Sequence, residues 1–386
     1  MVRLTLTQDA VGPIARGHPW LYREGLSPAR VRPTTPPPAG SPVELLDPRG
    51  KRVAFGLMDD GPIVARVLCR DPEPVPALLK RRLVAAWERR SLVGGDTNTY
   101  RVCNGEGDLL PGVVVDRYGG LLVLRLYSAA WLPYLDPLVE TLSQLPGVEA
   151  VLRRLGVERV DASEGTELLF GAAPPETLVV REHGMQLLVR PYVGQKTGLF
   201  LDQREHRRLV RGWATGRTVL NLFSYNGGFS VAAALGGARR VVSVDVAAPA
   251  LEDARENFRL NGLDPGDHGF EATDAFRYRG QEADLVICDP PSLTHGRDQD
   301  AAARTAYRDL HRHVAGLSRE LLATSSCSAR LSFERWEETV RDGLRGSAPL
   351  NAWALLHRSA EPPDHPVMIG HPEGRYLKFL LLARQR

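Results

Sequence analysis

The spacing of hydrophobic positions along the 386-residue chain changes twice, and the changes divide it into three stretches. Up to about residue 70, apolar and polar residues alternate in short runs at 42–46, 52–57 and 62–68, separated by the turn-forming strings Asp47-Pro48-Arg49-Gly50 and Asp59-Asp60-Gly61-Pro62. Period-two alternation punctuated by glycine and proline predicts a small all-β module. A proline-rich string at 32–40 reads as an extended loop inside it. From 76 to 93 the apolar spacing is helical. Strand-like runs at 112–116 and 121–126, a helix near 133–144 and further strands to about Val189 then predict a middle α+β domain.

From about Tyr192 strands and helices alternate. Strand-like runs lie at 218–223, 240–245, 269–274, 283–287 and 321–324, with helices starting at Phe229 and covering 249–260. This alternation predicts a parallel sheet covered on both faces. Two β-rich runs, 351–356 and 375–382, end the chain with no helix-length segment evident between them. A terminal hairpin closing a parallel sheet characterises class I methyltransferases. The expected fold class is therefore α/β, with boundaries at 1–72, 73–188 and 189–386.

Composition narrows the picture modestly. The hydrophobic and charged fractions, 43% and 25%, are those of an ordinary globular protein. No stretch approaches the roughly 20 apolar residues of a membrane span. The N-terminus lacks the basic segment and apolar run of a signal peptide, so a cytoplasmic protein is expected. The four cysteines, at 69, 103, 288 and 327, show neither CxxC nor Cys/His clustering. That pattern argues against a disulfide framework and a structural metal, and no metal is expected. Of the 49 basic residues 45 are arginine, a side chain suited to bidentate phosphate contact and base stacking. Codon composition or a hot habitat gives the same bias, so arginine content alone does not assign RNA as partner.

Candidate chemistry sits at the ends of the five strands that precede the terminal pair. Asn221-Leu222-Phe223-Ser224-Tyr225-Asn226-Gly227-Gly228-Phe229 reads as a strand entering a glycine turn and a helix. Glycine lets the backbone approach a ligand, and a helix N-terminus offers free N–H groups. A dinucleotide fingerprint would need G-x-G-x-x-G, which the adjacent Gly227-Gly228 does not supply. Asp245, ending the next strand, can accept from ribose hydroxyls, and Asp274, ending the third, is positioned to meet an adenine amino group. With Asp289 they make three acids at consecutive strand ends, a series that favours S-adenosylmethionine.

Two strings, Cys288-Asp289-Pro290-Pro291-Ser292 and Ser325-Ser326-Cys327-Ser328, would meet in one cleft if their strands are neighbours. A thiolate adding to C6 of a pyrimidine makes C5 nucleophilic enough to take a methyl group, after which a base removes the C5 proton and the thiol leaves. Cys327, in a polar setting, is the candidate nucleophile. Cys288, inside an apolar strand, is assigned to the core. Asp289 is open to three roles: orienting the base, assisting protonation at the ring nitrogen, or taking the C5 proton. Pro290 and Pro291 remove two N–H donors and leave carbonyls that suit the exocyclic amine of cytosine better than uracil.

The chain resembles the RlmI/RlmO (YccW-like) ribosomal RNA large-subunit cytosine-5 methyltransferases over nearly its whole length. The resemblance is carried by Gly17-His18-Pro19-Trp20-Leu21-Tyr22, by Gly105-Glu106-Gly107-Asp108-Leu109-Leu110-Pro111-Gly112 and by Gln195-Lys196-Thr197-Gly198-Leu199-Phe200-Leu201-Asp202-Gln203-Arg204. It continues through the glycine turn, Asp289-Pro290-Pro291, Ser326-Cys327-Ser328, Asp364-His365-Pro366-Val367 and Pro372-Glu373-Gly374-Arg375-Tyr376-Leu377-Lys378.

That resemblance implies an N-terminal PUA domain, a central α+β domain and a C-terminal Rossmann-like methyltransferase domain. It implies 5-methylcytidine formation in 23S ribosomal RNA, with Cys327 and Asp289 catalytic. The cofactor, S-adenosylmethionine, would be held by Phe223, Ser224, Tyr225, Asn226, Gly227, Gly228, Asp245, Val246, Asp274, Ala275 and Asp289, with Phe200 and Gln203 on another wall. Pro290, Pro291 and Lys196 would meet the RNA. Trp20 and neighbouring arginines would help dock it, a role compatible with a core position for the indole. A homodimer is also implied.

Two departures stand out. Ser292 and Leu293 follow the diproline where the family commonly has a lysine and an aromatic, and Ser318-Arg319-Glu320 replaces a glycine pair in what reads as a turn. Rival readings are methylation of a guanine or adenine nitrogen, uracil-5 methylation by the same covalent logic, and a non-catalytic RNA-binding protein.

Overall fold

The computed structural model describes residues 1–27, 37–193, 197–293, 300–345 and 352–385. Most of the proline-rich string and Lys196 lie outside the described residues. Two compact units are formed. The first comprises Met1–Val180, Val189–Leu201 and Pro363–Gly374, and the second Arg181–Leu188, Asp202–Pro362 and Arg375–Arg386.

The first unit opens with β1 (Val2–Thr5), α1 (Gln8–Ala15), β2 (Trp20–Tyr22), β3 (Pro42–Leu46), β4 (Arg52–Met58) and β5 (Ile63–Cys69). The strands form one sheet in the order β1-β3-β4-β5-β2. Helix α1 corrects the all-β expectation: Thr7 caps it by accepting from Ala10 N–H at 3.4 Å, and Ile14 is buried. Gly12 and Pro13 obscured its period, because both lower helix propensity in the interior.

After α2 (Val75–Arg89) come β6 (Thr99–Asn104), β7 (Val113–Tyr118), β8 (Leu121–Leu126), α3 (Leu135–Ser143), β9 (Ala150–Arg154) and β10 (Thr166–Gly171), whose strands form a second sheet ordered β10-β9-β8-β7-β6. Leu78, Leu79 and Leu83 of α2 and Leu138 and Leu142 of α3 are buried with Val113, Val115, Leu122 and Leu124 of this sheet. Phe55, Leu57 and Leu68 of the first sheet belong to the same cluster. A shared core makes one unit of two differently patterned stretches.

The segment Pro363–Gly374 joins this unit through one side-chain carboxylate and two backbone carbonyls. Asp364 accepts from Arg101 N–H at 2.9 Å, its carbonyl accepts from Arg90 at 2.9 Å, and the Pro366 carbonyl accepts from Asn104 at 3.0 Å. Gly107 is required there, since a Cβ would stand 1.8 Å from the Pro366 oxygen. Two strings that carried the family resemblance thus meet, though they lie more than 250 residues apart.

Of the hairpin of β11 (Leu178–Glu182) and β12 (Met185–Val189), Arg181–Leu188 belongs to the second unit, which continues with α4 (Arg204–Trp213), β13 (Thr218–Leu222), α5 (Gly228–Leu235), β14 (Arg240–Asp245), α6 (Ala248–Leu260), β15 (Gly269–Ala272), β16 (Ala283–Cys288), α7 (Asp300–Leu317), β17 (Ser318–Ser326), α8 (Phe333–Leu344), β18 (Trp353–Ser359) and β19 (Lys378–Arg384). Seven strands order as β15-β14-β13-β16-β17-β19-β18, with β19 antiparallel between β17 and β18. The terminal hairpin is as expected from the sequence. Ser318, Arg319 and Glu320, read as a turn, instead begin β17, where Ser318 pairs with Ala283 across an irregular register.

Alternation along the strands settles what covers each face. Leu220, Leu222, Val244, Val286 and Leu322 bury against Tyr307, Leu310 and Val314 of α7 and Trp336 and Val340 of α8. Asn221 and Ser243 point the other way, where both bond Ser230 of α5, at 2.9 and 2.7 Å. No described helix is long and apolar enough to cross a membrane.

Candidate active site

Strand order reverses at β13, which has β14 on one side and β16 on the other. Such a switch point opens a crevice at the carboxyl ends of the strands. The turn between β13 and α5 lies there and carries left-handed backbone at Phe223 (φ 61°), Tyr225 (φ 49°) and Gly227 (φ 77°). For the two aromatic residues this costs on the order of 1–3 kcal/mol each, so the surroundings must hold them. Ser224 N–H bonds the Val244 carbonyl at 3.0 Å, Tyr225 N–H the Asp245 carboxylate at 2.8 Å, and the Asn226 carbonyl accepts from Asn257 at 2.8 Å. At Gly227 a Cβ would also stand 2.8 Å from that of Ala254.

Asp245 is half-buried and receives Ala247 N–H at 2.9 Å on its other oxygen. Asp274 lies two residues past β15 and accepts from Phe276 N–H at 3.0 Å, so it also caps a short 3-10 turn. Ala275 is buried and Val246 exposed. The Phe223 and Phe276 rings meet edge to face at 5.0 Å. Phe276 was not singled out from the sequence, and its only signal was its place two residues after Asp274.

The geometry fits a bound nucleoside. Ser224 Oγ is buried without a hydrogen-bond partner, and α5 starts with N–H groups that no preceding turn can satisfy. Asp245, Asp274 and the paired phenyl rings supply acceptors and a stacking face.

On the other side of the switch point β16 and β17 run parallel, as the converging strings required. Cys288 is fully buried, and burial pushes its thiol well above the ordinary range. Asp289, half-buried, accepts from Ser325 Oγ and from Gln203 Nε2, the latter at 3.0 Å. Pro290 is buried and Pro291 exposed. Cys327 lies just past β17 and is half-buried. Tyr307 of α7 bonds Ser326 Oγ at 2.9 Å and is pushed up to about 12, chiefly by burial.

Gln203, assigned to the cofactor, is thus brought to Asp289. Behind it stands His206 of α4, whose Nδ1 meets Gln203 Oε1 at 2.5 Å and whose Nε2 meets Ser359 Oγ at 3.0 Å. The ring stacks on Phe379 at 4.2 Å, and burial lowers its pKa to about 3. A neutral imidazole donating from Nδ1 orients the Gln203 amide so that its N–H faces Asp289. This arrangement is not legible in the sequence, because nothing in a lone His on an arginine-rich helix indicates its partners. Phe200 is half-buried and falls in the first unit.

In the first unit Trp20 is half-buried, donates to Glu106 at 2.8 Å and packs 4.3 Å from the His371 ring. His18, His371 and Glu373 form the one described group with metal-ligand spacing. Glu373 Oε2 lies 3.1 Å from His371 Nδ1.

A parallel sheet with this strand order, a terminal antiparallel strand pair and an acid series at the switch point defines a class I S-adenosylmethionine-dependent methyltransferase. Residues 101–344 match the family described as S-adenosylmethionine-dependent methyltransferase, and residues 4–70 match the PUA-like domain. A ribosomal RNA large subunit methyltransferase of Deinococcus radiodurans is 38% identical, over 99% of this chain and 97% of its own. A ribosomal RNA large subunit methyltransferase I of Escherichia coli is 36% identical, over 98% of both. A solved candidate methyltransferase complexed with SAH, S-adenosylhomocysteine, superimposes with a TM-score of 0.85 at 25% identity, covering 99% of this chain and 100% of that one. The chain belongs to the RlmI/RlmO (YccW-like) ribosomal RNA large-subunit methyltransferase family, and its cofactor is S-adenosylmethionine.

Proposed function

We propose that the protein methylates C5 of a cytidine in 23S ribosomal RNA through a covalent bond between Cys327 and C6. The relatives named for the large ribosomal subunit support the substrate. One observation supports the chemistry: β16 and β17 pair in parallel, so the strand end that leads to Cys327, the only half-buried cysteine of the second unit's described residues, neighbours the one that leads to Asp289-Pro290-Pro291.

The thiolate of Cys327 adds to C6, and the electron pair displaced from the C5–C6 bond makes C5 nucleophilic. S-adenosylmethionine, when bound, supplies the electrophilic methyl group. Asp289 receives donors from Ser325 and Gln203, an arrangement that keeps it an acceptor facing the ring. It is suited to the exocyclic amine or to the C5 proton, whose departure returns the C6–S electrons to sulfur. The Pro290 and Pro291 carbonyls, on a backbone without N–H groups, favour a donor edge and hence cytosine over uracil. Lys196, also assigned to RNA contact, lies outside the described residues.

The same reading assigns Phe200, Gln203, Phe223, Ser224, Tyr225, Asn226, Gly227, Gly228, Asp245, Val246, Asp274, Ala275 and Asp289 to the cofactor. It divides the chain into a 1–72 module that docks RNA with Trp20 and nearby arginines, a 73–188 middle domain and a 189–386 transferase domain. It places the protein in the cytoplasm, as a homodimer.

Incubating the protein with large-subunit RNA and methyl-labelled cofactor, then digesting to nucleosides, tests the base assignment. Label is expected in 5-methylcytidine. Label in a methylated purine or in 5-methyluridine would replace the reading with one of its rivals.

A further inference from the structure

Lysine is scarce in this chain, and Lys378 is 2% exposed. It opens β19 directly opposite Ser326, the residue before Cys327. Its amine donates to the Ser328 carbonyl, one residue after Cys327, and to the Tyr376 carbonyl at 3.0 Å. The cysteine is therefore bracketed on the chain by the strand partner and the hydrogen-bond acceptor of one buried ammonium.

Burying a cation is costly unless an anion compensates it. The carboxylate that acts most strongly on Lys378 is Glu361, whose Oε1 is already engaged by Tyr376 and Leu377 N–H at 2.6 and 2.9 Å. Glu334 of α8 contributes less. Among the described residues, Tyr307 of α7 also interacts with Cys327, and Asp289 from the end of β16 in turn acts on Tyr307. Of these only Lys378 brings a positive charge.

We propose that Lys378 is the counter-charge of the Cys327 thiolate, a positioning residue that keeps the nucleophile ionised before attack and receives it again when the C6–S bond breaks. In the first step the thiol proton leaves to solvent and the pair stays on sulfur beside the ammonium. In the last the C6–S electrons return to the same place. Burial lowers Lys378 to about 8, while attraction to the Cys327 thiolate acts in the opposite direction.

The inference rests on the assignment of Cys327 as nucleophile, and its test is independent of methyl transfer. The full-length protein is alkylated with iodoacetamide between pH 5 and 10, and modification of the Cys327 peptide is followed by mass spectrometry. An opposite charge at close range shifts a pKa by about 1–3 units. The wild-type midpoint is expected below that of a free thiol, about 8.5, and Lys378→Met is expected to raise it by at least about one unit, slowing alkylation near neutral pH roughly tenfold. A lysine that merely ties carbonyls together would leave the midpoint in place, and an unchanged midpoint overturns the proposal. Should Lys378→Met not fold, the wild-type curve decides alone: a midpoint at or above the free-thiol value overturns it. If the midpoint depends on Lys378 yet Cys327→Ala still methylates RNA, the covalent reading falls and the charge pairing stands.

Discussion

Cys327→Ala is expected to lose methyl transfer to large-subunit RNA by at least about 10⁴-fold, while the dissociation constant for S-adenosylmethionine stays within about twofold. The loss is large because no other group takes over. Cys288, the nearest sulfur in sequence, is fully buried among Leu222, Val286 and Leu322, and its thiol is pushed far from ionisation. The cofactor constant holds because most residues assigned to the cofactor reach it from the ends of β13, β14 and β15, whereas Cys327 follows β17 and is not among them. Folding is little affected, since Cys327 is half-buried and outside the strand. Single-turnover transfer of labelled methyl and calorimetric binding of the cofactor check the two halves. Turnover within tenfold of wild type would rule out a required thiol.

Asp245→Ala is expected to weaken S-adenosylmethionine about 100-fold, with the RNA constant unchanged. Two effects combine. The carboxylate is the acceptor assigned to the ribose hydroxyls, and hydrogen bonds to charged groups contribute about 1.5–3 kcal/mol. It also receives Tyr225 and Ala247 N–H, holding Tyr225 at φ 49°. Without it the strained turn relaxes and the N–H groups of α5 lose their aim. Asp274→Ala removes an acceptor that caps only one 3-10 turn and should cost less. Calorimetric titration of both variants orders the effects, and equal constants for wild type and Asp245→Ala would remove Asp245 from the site.

Much of the second unit was legible because its strands and helices have different periods. The runs at 218–223, 240–245 and 283–287 became β13, β14 and β16 within one or two residues, and the turn at Gly227-Gly228 was marked by its glycines. Asp245, Asp289 and Cys327 were legible as strand-end residues, since a parallel sheet gathers its strand ends at one edge. What escaped was whatever depends on a partner far along the chain. Helix α1 was hidden by Gly12 and Pro13, and the start of β17 by a polar Ser-Arg-Glu string that pairs across an irregular register. His206 and Lys378 gave no local signal. One is defined by Gln203, Ser359 and Phe379, the other by Ser326 at the end of a neighbouring strand and Ser328 just past it. The joining of the first two stretches into one unit was equally unreadable, because a shared core is a property of contacts and not of period.

The covalent step is tested most directly with large-subunit RNA in which cytidine is replaced by 5-fluorocytidine. Fluorine at C5 cannot leave as a proton, so an enzyme that attacks C6 stalls after methyl transfer with the RNA attached. The expected result is a protein–RNA complex that survives denaturation, needs S-adenosylmethionine, is absent from Cys327→Ala, and yields on digestion a Cys327 peptide carrying the nucleotide. Turnover on ordinary RNA without any such complex, or attachment at a residue other than Cys327, would contradict the assignment of Cys327 as the nucleophile.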